Sequence, residues 1–168
     1  MYYYPEKLSP RDRNIRLYDT SHIYYDQIEQ AIRKYDPNHL ILGDKYNGNR
    51  GVPNTVVAAM EIFMDVYSVK YVVKNDEEFR EMISELDKTY EKIEKPILLA
   101  DFKIDINNKK LAASKYLEYI DELKTKKWFL GYFYNGFIDN PFRDWSLKDA
   151  SDSPVPELIE AFKSINGK

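Results

Sequence analysis

The sequence predicts an α/β fold built on a parallel sheet, and three observations carry that expectation. Four short apolar runs alternate with longer stretches of helical periodicity, and such alternation implies right-handed crossovers between parallel strands. The runs are unbroken, as in Ile97-Leu98-Leu99-Ala100, which is the habit of strands covered on both faces. The length, 168 residues, suits a single domain over 1–168 and lies well below the roughly 250 typical of a complete eight-stranded α/β barrel. Four β/α units make half of such a barrel, a (β/α)4 half-barrel.

Residues 1–20 have no clear period, and Pro5, Pro10 and Arg11-Asp12-Arg13 predict an extended lead-in. Ser21 is a fitting N-cap for a helix over 22–35, with Ile23, Tyr24, Ile28, Ala31, Ile32 and Tyr35 on one face. Asp36 precedes Pro37 and is thereby pushed out of the helical region. The first strand is expected at 39–44, followed by a loop over 45–53 and a helix over 54–63 that turns Val56, Val57, Met60 and Phe63 inward. The second strand covers 65–72. Asn75 then caps a third helix, with Glu78 completing a capping-box pattern and Phe79, Met82, Ile83, Leu86, Tyr90 and Ile93 as its apolar stripe. The third strand covers 96–102. Asn107 or Asn108 starts a fourth helix carrying Leu111, Leu117, Ile120 and Leu123 on one side. The fourth strand is expected at 128–134, then an aromatic loop with Phe137, Phe142 and Trp145, then a closing helix over 154–165.

Composition excludes several functions. With 25 basic and 28 acidic side chains the net charge is -3, which argues against a general grip on nucleic acid or an anionic membrane. No cysteine is present, so thiolate chemistry is excluded. No apolar run approaches the ~18 residues of a bilayer span, and Met1-Tyr2-Tyr3-Tyr4-Pro5 lacks a basic-then-apolar signal, so a cytoplasmic location is expected. His22 and His39 have no metal-ligand spacing, and phosphate- or dinucleotide-binding motifs are missing, so neither metal nor cofactor is expected. Tyrosine is abundant, 15 in all; it suits stacking on sugars and equally fills half-wet cores.

Chemistry in α/β folds sits at the carboxyl ends of the strands. Asp101 stands there, where the central apolar run stops. It is either a reacting or sugar-binding carboxylate or a strand-end residue paired with Lys103 or Lys70. Asp44 closes the first strand and either meets a ligand at the same mouth or caps the next loop. Tyr132, Tyr134 and Asn135 lie at the exit of the fourth strand, where they stack on a sugar or pack. Trp145 is a better stacking candidate than Trp128, which enters its strand at the opposite end. His39 precedes its strand and falls at the bottom of the sheet, where residues serve stability.

Four tracts resemble, in order, the C-terminal half of a retaining glycoside-hydrolase barrel of the agarase and β-galactosidase kind. Tyr35-Asp36-Pro37-Asn38-His39-Leu40-Ile41-Leu42-Gly43-Asp44-Lys45-Tyr46 resembles the passage into strand five, and Asp65-Val66-Tyr67-Ser68-Val69-Lys70-Tyr71 resembles strand six. Lys95-Pro96-Ile97-Leu98-Leu99-Ala100-Asp101-Phe102 is similar to strand seven, and Gly131-Tyr132-Phe133-Tyr134 with Asp139 to strand eight. The resemblance implies strands five to eight of a barrel, with Asp101 where the family carries its nucleophilic glutamate, one methylene longer. It implies carbohydrate as the partner, contacted by Asp44, Tyr46, Tyr71, Tyr134, Asn135 and Trp145, with Tyr71 as an aromatic beside the nucleophile. The family's general acid/base belongs to strand four, ahead of the matching stretch. The expectation is therefore one carboxylate per chain, completed by a homodimer or by a partner supplying the N-terminal half-barrel. The rival expectation is a non-catalytic half-barrel that binds carbohydrate or acts as a scaffold. In either case the inner-face residues Leu40, Leu42, Val69, Leu98 and Phe133 are expected to lack the half that fills a closed barrel.

Overall fold

A computed structural model describes residues 8–134, 136–140 and 145–167. The expectations for residues 1–7, Asn135 and Phe142 fall outside these. The chain runs α1 (Pro10–Tyr35), β1 (Tyr46–Asn47), a 3-10 turn (Gly48–Arg50), α2 (Asn54–Met60), β2 (Tyr67–Val73), α3 (Asp76–Ile93), β3 (Ile97–Ile104), α4 (Lys109–Leu123), β4 (Phe129–Tyr132) and α5 (Pro156–Asn166). The strands form one parallel sheet in the order β1-β2-β3-β4. This is the expected (β/α)4 half-barrel. Among the described residues, no helix is long and apolar enough to cross a membrane.

The lead-in differs from the sequence expectation. The first helix starts at Pro10 rather than 22, because Ser9 accepts the backbone N–H of Asp12 and proline suits the first helical turn. Residues 11–20 are all exposed, so no buried stripe betrays this part of the helix in sequence. The face also differs: Tyr25 is buried, whereas Ile23, Tyr24 and Tyr35 are exposed.

The first strand is displaced too. Gly43 sits at φ +68, where its missing Cβ avoids strain, and this turn interrupts the extended run. Before the turn, Ile41 gives its N–H to the Asp65 carboxylate and accepts the N–H groups of Asp65 and Val66. Ladder pairing with β2 begins only at Tyr46. Arg33 clamps this entry, donating to the His39 carbonyl and to Asp65, each at 2.7 Å.

The other helices follow their caps. Asn75 accepts from Glu78 N–H while the Glu78 carboxylate accepts from Lys74 N–H, and Asn108 accepts from Leu111 N–H. The buried face of α4 is Ala112, Ala113, Tyr116, Tyr119, Ile120 and Leu123, with Leu111 turned outward. One core joins Tyr67, Val69, Tyr71 and Val73 of β2 with Ile97, Leu99, Phe102 and Ile104 of β3 and the stripes of α3, α4 and α5. Val69 therefore packs toward the helices, not into the barrel interior as expected. Leu98 does face the inner side and is buried, whereas Leu40, Leu42 and Phe133 are exposed.

Candidate functional site

Side chains alternate across a strand, so the pairing register decides which of them share a face. Tyr67, Ser68 and Val69 pair with Ile97, Leu98 and Leu99, and then Lys70 pairs with Asp101. Ala100 is the extra residue of a β-bulge, a device that re-aims the side chains after it. Beyond it Tyr71 pairs with Phe102, and both join the helix-side core. Asp101 is thereby turned to the inner face with Ser68, Lys70 and Leu98.

Asp101 is 4% exposed. Its Oδ2 lies 3.1 Å from Lys70 Nζ and 3.6 Å from Lys45 Nζ. Pairing with Lys70 was one of the two sequence alternatives; Lys103 instead binds Asp105 at 2.7 Å. Lys103 Nζ also lies 3.1 Å from the centroid of the Trp145 ring, a cation–π contact. The site is therefore an inner-face patch of Lys45, Lys70, Asp101, Lys103 and Trp145. Of the sequence candidates, Asp101 lies in this patch directly and Trp145 joins it through Lys103. Such a patch can hold an anionic or hydroxyl-rich ligand against an aromatic face, and can present one carboxylate to it.

The other candidates go elsewhere. Tyr71 donates to Glu85 of α3 at 2.8 Å, and burial, then this carboxylate, pushes its phenol above the ordinary value. It packs on the side of the sheet opposite Asp101. Tyr134 packs against Tyr116 and Phe162, and its hydroxyl donates to the Trp145 carbonyl. It positions the Trp145 backbone from the helix side rather than stacking on a ligand. Asp44 accepts from Tyr25 at 2.9 Å, and Tyr46 shares a hydrogen bond with the same Tyr25 hydroxyl. Burial, then these two neighbours, raises the Tyr25 phenol. Asp44 and Tyr46 thus tie β1 to α1. Asn135 lies outside the described residues. Trp128 is a core residue whose indole N–H donates to Asp87 at 2.6 Å.

The lysines were the residues missed. Their signal was present: Lys70 and Lys103 are charges inside strands that are mostly apolar, where a charge must face a polar side. Among the described residues, no group of three or more His, Asp or Glu side chains is placed to hold a metal ion.

No family model matches the chain. It is 23% identical over 167 residues to beta-agarase B of Vibrio sp. (strain JT0107), a match covering 85% of this chain and 17% of that protein. It superposes on the crystal structure of an agarase with a TM-score of 0.77 at 20% identity, over 94% of this chain and 25% of that one. An exo-beta-agarase gives 0.70 at 22% identity, over 94% and 23%. An exo-beta-1,3-glucanase from Aureobasidium namibiae gives 0.65 at 12% identity, over 86% and 60%. The chain spans about a quarter of the agarase structures and less of the curated relative. Its fold is that of part of a glycoside-hydrolase barrel.

Proposed function

We propose that this half-barrel acts on a β-linked polysaccharide or galactoside, with Asp101 as the reacting carboxylate and a second half-barrel completing the site. The observation that carries this reading is the bulge at Ala100, which aims Asp101 at the inner face beside Lys70 and Lys45 rather than into the core. Likeness to agarases and a glucanase supports the substrate class. In a retaining mechanism one Asp101 oxygen attacks the anomeric carbon as the glycosidic oxygen leaves and takes a proton from a second carboxyl group. Water then hydrolyses the glycosyl ester. The two carboxyl groups must stand about 5–5.5 Å apart. The second is supplied by the half that completes the barrel; in a self-completed barrel that half is a second copy with its own Asp101.

Turnover of aryl β-galactosides and agar oligosaccharides tests the proposal. Asp101→Asn should abolish it in protein that still unfolds in one cooperative transition. Equal turnover by the variant contradicts the assignment. One observation favours a second reading, a non-catalytic carbohydrate-binding half-barrel: Asp101 is buried between two ammonium groups. Binding of agar oligosaccharides without turnover, unaffected by Asp101→Asn, would support it.

A further inference from the structure

The inner face carries more lysine than Asp101 needs. Lys45 and Lys70 approach the same oxygen, Asp101 Oδ2, and among the described residues neither is paired with another carboxylate. One carboxylate balances one ammonium. Lys70 is the nearer and less exposed partner, and it suffices as a tether; the Lys45 side chain is 49% exposed and adds a second positive charge. Lys103, two residues beyond Asp101 on β3, is balanced by Asp105 and lies over the Trp145 ring. Among the described residues the surplus charge therefore sits on Lys45, at the exposed rim of the patch. The Lys45 ammonium, half in water, is free to exchange hydration for the oxygens of a ligand anion.

We infer that this site takes an anionic sugar: a β-linked polysaccharide bearing sulfate ester or carboxylate groups, its anion paired with the exposed Lys45 ammonium and a ring near Trp145. The inference rests on the carbohydrate reading above and narrows its substrate class. A half-exposed ammonium suits either anion, because both offer several oxygens to charge-assisted hydrogen bonds. The overall charge of -3 opposes indiscriminate binding of polyanions, so a preference must come from this local patch.

Affinity electrophoresis of the full chain tests it with three gels: a sulfated galactan, the same galactan after desulfation, and a β-linked polyuronate. The wild type should bind the sulfated polymer, the polyuronate or both about tenfold more tightly than the desulfated one, with the advantage shrinking as salt rises. Which of the two binds tighter identifies the anion. Lys45→Gln should erase the advantage at unchanged melting temperature, and Lys88→Gln, on the exposed side of α3, should keep it. Equal binding to charged and desulfated galactan overturns the inference and leaves the carbohydrate reading intact. Binding to none of the three overturns both. An advantage that survives Lys45→Gln, or that Lys88→Gln removes equally, also overturns it.

Discussion

At the scale of single residues, the fold is held at its entry by Asp65, a side chain that the sequence presents merely as the start of a strand. The Ile41 N–H lowers its carboxyl below the ordinary value of 3.8, burial opposes this, and Arg33 reinforces it. Asp76 is lowered likewise by Lys115 and then Tyr119. The sign follows from linkage. A carboxyl depressed in the folded state binds fewer protons there than in the unfolded chain, so its contribution is complete above the unfolded value and is lost as pH falls through the folded one. Thermal melts should therefore hold a plateau above about pH 5 and fall steeply below about 3.8. Asp65→Asn should lower the plateau and flatten the acid limb. An acid limb identical to the wild type would show that Asp65 does not contribute.

At the scale of elements, the alternation of strands and helices was legible because each helix announces itself by a cap and each strand by an apolar run. Asn75 caps as read, Asn108 is the one of the two candidates that caps α4, and the α3 stripe is buried as read except that Tyr90 is only half-buried. What was not legible is register. In a straight ladder Tyr71 would stand beside Asp101, as the family resemblance implied; the single extra residue Ala100 puts them on opposite faces. A bulge of this kind leaves no mark in composition or periodicity. The displaced first strand is a similar case, set by Gly43 and by hydrogen bonds to a distant Asp65. Gly48 shows how tightly the turn after β1 is fitted. A Cβ there would enter the Tyr71 ring, so Gly48→Ala must move either the turn or the ring. We expect a loss of about 1–3 kcal/mol in chemical denaturation, with the Tyr71–Glu85 hydrogen bond weakened. An unchanged midpoint would mean that the turn does not press on β2.

At the scale of the whole molecule, the sheet has two edges that a closed barrel would not have. At one, Leu40 and Leu42 are exposed; at the other, Leu130 and Phe133. Open edges with apolar neighbours template association, and each Å2 of apolar surface buried contributes ~25 cal/mol. A two-fold axis along the barrel would let each β1 edge meet the partner's β4 edge with all strands parallel. Light scattering at micromolar concentration should give about twice the 20.0 kDa of one chain, and a mass of one chain would reject self-completion. The central claim, that Asp101 is the reacting carboxylate, has a more direct test that does not wait on the second half. A 2-fluoro-β-galactoside with a dinitrophenolate leaving group needs no acid catalyst to depart, so attack depends on the nucleophile alone. Intact-mass measurement after incubation, followed by peptide mapping, should find one fluorogalactosyl group per chain, esterified to Asp101 and absent from Asp101→Asn. An unmodified wild-type chain, or a label on another residue, would contradict the account.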